Sequence, residues 1–137
     1  IDGAMVHPEK FGKGVKHLNT LAIVAGFTPA AYNQLVREKK LKILEVFHYK
    51  SLLTQGISKK VDAIYSNISV SQHYLKYVLK KPNALRFDPS LPFTKSTRHL
   101  STIKHPGIVI NFNKFLVNHH DKISILKQKY GVEDALR

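Results

Sequence analysis

Apolar residues along this chain fall into short runs separated by glycine, proline and polar residues. The run Thr20–Ala25 (TLAIVA) is continuous and is followed by Gly26, which is typical of a strand buried on both faces of a sheet. Leu41–Phe47 alternates partly and is rich in apolar residues, and Val61–Tyr65 is a third segment of strand length. A segment with helical spacing follows each run, so the pattern predicts strands that alternate with helices.

Two of the predicted helices begin at good capping residues. Thr28 is a suitable N-cap with Pro29 at the first helical position, and this helix is predicted to continue to Lys40. Asn67 caps another helix, whose apolar residues share one face until Pro82 ends it.

A short helix is predicted between these two, over Ser51–Gln55, closed by Gly56. The chain therefore alternates three times between strand and helix, which predicts parallel strands joined by right-handed crossovers. We expect an α/β fold, a three-layer sandwich in which a mostly parallel sheet is flanked by helices.

The pattern changes after Asn83 and divides the chain. Ala84–Phe87 reads as a short strand, and a proline-rich connection follows over residues 88–92. We expect residues 14–90 to form one lobe and residues 91–137 to form a return segment with two helices. Residues 1–13 show no periodicity at their start and are interpreted as an N-terminal extension or a remnant of a cloning procedure.

The two C-terminal helices are marked by proline and glycine. Pro106 opens the first, which carries Ile108, Phe112 and other apolar residues on one side. The second, at about residues 122–130, is ended by Gly131. The apolar side of the first helix requires a partner.

Composition excludes several kinds of chemistry. The 137 residues include no cysteine, which excludes thiolate catalysis and cysteine-based zinc sites. No nucleophile motif of the GxSxG kind and no glycine-rich phosphate loop occurs. We therefore predict that the chain is not an enzyme and holds no cofactor.

Charge favours an anionic partner. The 22 Lys and Arg against 9 Asp and Glu give a formal net charge of +13, which suits nucleic acid, acidic lipid or a small anion. The lysine pairs stand at the ends of apolar segments, where cations complement helix dipoles. A basic nucleic-acid-binding module remains the alternative from another class, although no nucleic-acid motif is present.

Two loops are the leading candidates for a binding site. Gly26, Phe27, Thr28 and Pro29 follow a buried strand and open a helix, where free N–H groups attract anions. Asn67 stands at the equivalent position of the third strand, and the carboxyl ends of parallel strands share one edge of a sheet. The alternative is that Thr28 and Asn67 only cap their own helices.

Two further residues are predicted at this edge. His48 follows the second strand, and Tyr65 lies near the end of the third. No metal site is predicted, because the adjacent His119 and His120 point in different directions on a helix and no HExxH motif occurs. Asp62, within a strand, is expected to be a structural carboxylate paired with backbone or with a nearby lysine.

The order of these motifs resembles the second half of the type 2 periplasmic solute-binding proteins. The resemblance rests on the GxT turn at residues 26–28, on Asp62-Ala63 within KVDAIY, and on Phe112-Asn113-Lys114-Phe115-Leu116 followed by Lys129-Tyr130-Gly131. It covers residues 14–132. It implies one lobe of a substrate-binding protein that serves an ABC transporter, located in the bacterial periplasm, with the permease as its membrane partner.

The resemblance also implies roles for individual residues. The GxT turn binds a carboxylate or a similar anion, which assigns that role to Thr28, with Phe27 and Pro29 shaping the turn. Members that bind α-amino acids carry an aspartate where this chain has Asn67. Because that substitution removes the charge that would pair with an ammonium, we expect an anionic solute of the carboxylate, phosphate or phosphonate kind.

A large part of the resembled architecture lies outside this chain. Those proteins have two lobes and hold the ligand between them, so the resemblance implies a missing first lobe. The apolar side of the helix from Pro106 is then covered by a second copy, giving a homodimer, or by folding back onto the lobe. A sensor domain of a membrane receptor with the same fold would have the same site, and no nucleic-acid partner is implied.

Overall fold

A computed structural model describes residues 1–95, 97 and 99–132. The contacts within the chain divide it into two compact units, residues 1–95 and residues 96–137. The division falls after Lys95 rather than after Ser90, because Thr94 still forms a bridge with Asp2 through two backbone hydrogen bonds of 2.9 and 2.8 Å. The predicted boundary at residue 90 is therefore too early.

The first unit is built on one five-stranded sheet. Its strands in chain order are β1 (Asp2–Val6), β2 (Thr20–Val24), β3 (Lys42–Val46), β4 (Ala63–Asn67) and β5 (Arg86–Phe87). Across the sheet they lie in the order β3-β2-β4-β1-β5. β2 pairs in parallel with both β3 and β4, whereas β1 is antiparallel to both β4 and β5. All strands other than β1 thus run in one direction, as the predicted mostly parallel sheet requires.

The N-terminal segment is part of this sheet. β1 is buried along its whole length and lies between β4 and β5. The prediction of an N-terminal extension over residues 1–13 is therefore wrong for Asp2–Val6. Five residues are too few to display a period beside the charged residues that follow, and the pairing that places the strand comes from β4, more than fifty residues away along the chain.

Short helices connect the strands of the first unit. A 3-10 turn at Ala30–Tyr32 leads into α1 (Asn33–Arg37), α2 spans Tyr49–Ile57, and α3 (Ile68–His73) continues into a π-helical turn at Tyr74–Val78. Two further 3-10 turns, at Pro8–Lys10 and Val15–His17, lie between β1 and β2. The three crossovers predicted from the sequence are present, although the helix after β2 is shorter than expected.

Alternation along the strands builds a core on each face of the sheet. Leu21, Ile23 and Tyr65 belong to a cluster on one face that includes Tyr32 from the 3-10 turn. Their neighbours Ala22 and Ile64 are equally buried, and a Cβ added at Gly56 of α2 would lie 3.0 Å from Cγ2 of Ile64. α2 therefore covers the opposite face, and the fold is the predicted three-layer α/β sandwich.

Gly56 lies inside α2 and does not close it. A Cβ at this position would also lie 3.1 Å from Cδ1 of Leu85. The glycine thus permits close contact between the helix and the sheet, and Ser58 caps the helix end instead. The predicted role of Gly56 as a helix terminator is wrong.

The second unit contains two helices among its described residues, α4 (Pro106–Asn118) and α5 (His120–Lys129). Their predicted positions are confirmed, with Pro106 at the start of α4 and Gly131, at φ +60°, after α5. None of the residues of α4 and α5 is buried. Among the described helices of the chain, none has the length and apolarity needed to cross a membrane.

Candidate functional site

The loops predicted to form a site meet at one edge of the sheet. β2, β3 and β4 are parallel and in register, with Val24 opposite Val46. The turn after β2, the segment after β3 and Asn67 at the end of β4 therefore share the carboxyl edge of these strands. β1 runs in the opposite direction, so its first residue, Asp2, lies at the same edge opposite Asn67.

The turn after β2 exposes unpaired backbone donors. Gly26 has a φ of +87°, a conformation that glycine adopts without strain. The Phe27 N–H donates to the carbonyl of Val24 at 2.9 Å, whereas the N–H groups of Gly26 and Thr28 have no hydrogen-bond partner among the described residues. Gly26, Phe27 and Thr28 are all exposed. Two amide donors and the Thr28 hydroxyl are thus accessible within one turn.

The helix that follows this turn differs from the prediction. Pro29, with ψ near 70°, occupies the position before the 3-10 turn, and Thr28 is not the capping residue. Helical structure begins at Ala30 and ends at Arg37 instead of Lys40. The reading of Thr28 as an N-cap is wrong. A helix this short contributes little dipole, so the anion affinity of the turn depends on its individual donors.

Phe27 and Pro29 differ in exposure. Pro29 is buried, while Phe27 is 39% exposed. A half-exposed aromatic ring beside free amide donors offers a ligand an apolar contact next to polar ones.

Asn67 uses both ends of its amide within the lobe. Its Oδ1 accepts from the N–H of Val70 at 3.2 Å, which caps α3 as predicted. Its Nδ2 donates to Oδ1 of Asp2 at 3.1 Å. Asn67 therefore has a structural role, and it places a carboxylate from β1 beside itself.

Asp2 changes the electrostatics of the edge. Asp2 is 8% exposed. The sequence does not predict that Asp2 lies at this edge, because the strand pairing that brings it to Asn67 joins distant segments. The absence of an acid at position 67 was the reason to expect no ammonium group at this edge. With the Asp2 carboxylate next to Asn67, that reason no longer holds.

Tyr65 lies in the core instead of at the surface of the edge. It is 2% exposed, its ring packs edge-to-face on Tyr32 with centroids 5.7 Å apart, and its hydroxyl is 3.1 Å from Oγ1 of Thr94. The alternation of side chains along β4 turns it towards the α1 layer. Tyr65 was placed near the site by its sequence position alone, and the structure does not bring it there.

His48 and Tyr49 take different positions at the start of α2. His48 is exposed and precedes the helix without forming a side-chain cap. The hydroxyl of Tyr49 lies 3.2 Å from the carbonyl oxygen of Asn67, to which it donates, and 3.1 Å from Oγ of Ser71. His48 therefore belongs to the exposed edge, while Tyr49 lies behind it.

A buried group of hydroxyls supports Asn67. Ser66 and Ser71 are 1% and 0% exposed, and their hydroxyl oxygens are 2.6 Å apart. Burial raises the pKa of Tyr49 and outweighs its hydrogen bonds with Ser71 and Ser66, so its hydroxyl stays protonated and can donate. The two serine hydroxyls were not predicted, because serine in a strand or a helix gives no pattern that marks it as buried.

Asp62 has the structural role expected of it. Its carboxylate pairs with Lys10 and accepts from the N–H groups of Asn19 and Thr20, each at 2.9 Å. Partial burial tends to raise the pKa of Asp62, but the hydrogen bonds from Lys10, Asn19 and Thr20 outweigh it and hold the pKa below its usual value. Asp62 precedes β4 and so lies at the opposite edge from the candidate site.

Metal ligands are not gathered at the candidate site. Within the described part of the chain, no group of three or more histidine, aspartate or glutamate side chains could hold a metal ion. The donors at the edge are backbone N–H groups, a hydroxyl and an amide, and the acceptor is one carboxylate. This set suits an organic ligand or an oxyanion held by hydrogen bonds.

The fold is that of the type 2 periplasmic solute-binding proteins. A periplasmic binding protein of an arginine transport system from Legionella pneumophila superposes with a TM-score of 0.63 at 13% identity, over 94% of this chain and 60% of the other. A mutant of ArgBP from T. maritima gives a TM-score of 0.67 at 14% identity, over 96% and 57%.

A third solved structure agrees. It is an amino-acid ABC transporter substrate-binding protein from Streptococcus pneumoniae bound to L-arginine, with a TM-score of 0.63 at 13% identity, over 94% of this chain and 54% of the other. In sequence, no protein-family model and no curated protein matches the chain. The chain spans 54 to 60% of the length of these three structural neighbours, and at such identities the likeness establishes the fold.

Proposed function

We propose that this chain is the second lobe, with its return segment, of a solute-binding protein that delivers a small solute to the permease of an ABC transporter in the bacterial periplasm. The observation that carries the proposal is the exposed turn Gly26–Thr28, whose free N–H groups and hydroxyl lie at the edge where β2, β3 and β4 end. Loops at this edge are where open α/β sheets bind ligands.

The turn is proposed to bind an anionic group of the solute. The N–H groups of Gly26 and Thr28 and the Thr28 hydroxyl are donors, and charge-assisted hydrogen bonds to an oxyanion are stronger than neutral ones. A carboxylate, phosphate or phosphonate fits this set. The net charge of +13 favours approach of such a ligand by long-range attraction.

The rest of the edge favours a ligand that also carries hydrogen-bond donors. The Asp2 carboxylate and the Asn67 amide lie together at the sheet edge that also carries the turn and the exposed His48. A solute with a carboxylate at one end and an amino or amide group at the other would use both parts. Amino acids therefore stay among the candidates beside simple anions, and Tyr65 takes no part because it is buried.

The missing first lobe is proposed as the partner that completes the site. The chain covers only 54 to 60% of the length of the structural neighbours, and the turn offers contacts to only one side of a ligand. α4 exposes several large apolar side chains, among them Ile108 and Phe115 at 55% and 50%. A first lobe, or a second copy of the chain, would cover them.

A ligand screen tests the proposal. The purified chain is mixed separately with L-arginine, L-glutamine, L-glutamate, inorganic phosphate and methylphosphonate, and thermal unfolding is recorded. A ligand present at about 100 times its dissociation constant stabilises the folded state by about 2.7 kcal/mol. Backbone amide resonances of Gly26 and Thr28, followed by NMR, detect binding too weak to move the melting temperature.

Thr28→Ala separates the turn from other sites. The variant removes one hydroxyl and should weaken any ligand of the turn about fivefold, from the net contribution of one hydrogen bond of about 1 kcal/mol. Thr54→Ala is the matched control, because Thr54 lies on α2 and its hydroxyl bonds the carbonyl of Lys50 at 2.8 Å. Ligands that bind both variants equally, or binding of single-stranded DNA alone with a steep salt dependence, would refute the proposal.

A further inference from the structure

A second pocket lies at the other end of β1 from the candidate site. It has a volume of about 190 Å³ and is lined by Val6, Leu18 and Leu91 together with Lys10, Lys13, Gly14 and His17. Val6 pairs with Ala63 at the start of β4, whereas Asp2 pairs with Asn67 at its end. At about 3.3 Å per residue, the two sites are separated by about 13 Å along the strand.

The floor of this pocket is apolar. Val6, Leu18 and Leu91 are 1%, 7% and 3% exposed and belong to the core cluster on the α1 face of the sheet. Their buried carbon atoms leave a surface that water solvates poorly, and an apolar group placed on it would be stabilised by about 25 cal/mol for each Å² buried.

The rim of the pocket is basic. Lys10, Lys13 and His17 line it, and none of its described lining residues is acidic. Of the two lysines, Lys10 is paired with Asp62. No acid among the described residues lies within ion-pair distance of Lys13, although its charge contributes to lowering the pKa of Glu9, which is bonded to Lys59 at 2.6 Å. Positive charge at the rim is therefore only partly compensated by the protein.

Other acids near this region are already satisfied. Asp88 accepts from the Gly12 N–H at 2.7 Å and from both the N–H and the hydroxyl of Ser90, at 3.0 and 2.6 Å. Gly14, in contrast, has an N–H without a partner in the part of the chain that the structure describes. The rim thus combines cationic side chains with a free backbone donor.

We propose that this pocket binds a small organic anion with an apolar body, such as an aromatic or aliphatic monocarboxylate. The apolar body rests on Val6, Leu18 and Leu91, and the carboxylate accepts hydrogen bonds from Lys13, His17 and the Gly14 N–H. The size agrees, since a cavity of about 150 Å³ accommodates benzene. The site is independent of the turn at Gly26–Thr28 and of the function proposed for that turn.

NMR titration of the full chain with sodium benzoate tests the proposal. The amide resonances of Gly12, Gly14, His17 and Leu18 are expected to shift with saturation at millimolar benzoate. Benzyl alcohol, which has the same ring without the charge, and inorganic phosphate, which has charge without the ring, are expected to bind at least about tenfold more weakly, since each lacks one of the two contributions.

Variants at the rim assign the charge recognition. Lys13→Gln should weaken benzoate about tenfold, the loss expected for one charge-assisted hydrogen bond. Lys16→Gln is the matched control, because Lys16 is an exposed lysine in the same segment that does not line the pocket, and it should leave the affinity unchanged.

The outcomes are distinct. Benzoate shifts confined to the Gly26 and Thr28 amides would support the turn and overturn the pocket, while shifts confined to the pocket amides would support the pocket, and the turn is tested by its own ligand screen. Equal binding of benzyl alcohol and benzoate, or equal weakening by Lys13→Gln and Lys16→Gln, would overturn the assigned recognition. Absence of any shift in the pocket amides would overturn the site itself.

Discussion

Tyr32 buries a polar group without a hydrogen-bond partner among the described residues. Whereas most core substitutions lower the free energy of unfolding, removal of this group is predicted to raise it. The residue is completely buried, and its hydroxyl is the buried side-chain polar atom without a hydrogen-bond partner among the described residues. Burial, with smaller effects of Tyr65 and Asp88, raises the pKa of Tyr32 well above its usual range. The hydroxyl is therefore neutral at all ordinary pH values, and its desolvation is uncompensated.

Tyr32→Phe should stabilise the protein. The substitution removes one unsatisfied hydroxyl, whose burial costs about 1–3 kcal/mol. It keeps the ring and its edge-to-face contact with Tyr65 at 5.7 Å. The small space left by one oxygen atom loses some van der Waals contact, so we expect a net gain of about 1 kcal/mol in the free energy of unfolding.

Tyr65→Phe is the matched control, because it deletes a hydroxyl that lies 3.1 Å from Oγ1 of Thr94. It should lower the free energy of unfolding by about 1 kcal/mol, the usual net value of one hydrogen bond. Urea unfolding followed by circular dichroism measures both variants, with an unchanged slope confirming that the unfolding transition is the same. A loss of stability in Tyr32→Phe as large as in Tyr65→Phe would refute the reasoning and indicate a buried water bonded to Tyr32.

Two further predictions concern packing and pH. Gly56→Ala should destabilise the fold by about 1–3 kcal/mol, because its Cβ would lie 3.0 Å from Ile64 and 3.1 Å from Leu85; Gly107→Ala in α4, where a Cβ meets nothing within 4 Å, is the control in the same unfolding assay. The carboxyls of Asp62 and Asp88 have a pKa in the folded protein that is below the usual value. They therefore stabilise the fold above their unfolded pKa of about 3.9, and this contribution is lost as the pH falls through the folded pKa. Asp62→Asn should reduce the dependence of the unfolding free energy on pH below about pH 4, and an unchanged dependence would contradict the pairing with Lys10.

The sequence predicted those parts of the fold that depend on local pattern. A continuous apolar run marked β2 and a partly alternating, apolar-rich segment marked β3, while Asn67 marked the start of α3 and Pro106 that of α4. Because parallel strands fix which loops share an edge, the placement of Gly26–Pro29 and Asn67 at the same edge of the sheet followed from the order of the elements. β1 could not be predicted in this way, since its place in the sheet is decided by pairing with β4 and β5.

The same difference explains what was missed at the candidate site. Asn67 is hydrogen-bonded to Asp2, and Tyr49 and Ser71 supply hydroxyl groups behind Asn67. These partners are either far from Asn67 in sequence or have side chains turned inward. The presence of Asn67 in place of an aspartate suggested that the edge carries no negative charge, but Asp2 supplies a carboxylate there. The expectation of a purely anionic solute depended on that inference.

The two proposed sites place different recognition surfaces at the two ends of β1. At the start of the strand, the Asp2 carboxylate lies beside the Asn67 amide, at the same sheet edge as the free N–H donors of the turn, which suits a ligand with both signs of charge or with paired donors and acceptors. At its end, lysine and histidine side chains line an apolar floor that has no lining acid among the described residues, which suits a plain organic anion. The formal net charge of +13 acts on both ends alike, so selectivity between an amino acid and a monocarboxylate must come from the position of Asp2 relative to the turn. Titration of each ligand into the Asp2→Asn variant tests this. The substitution should abolish any preference for amino acids at the turn and leave benzoate binding at the pocket unchanged.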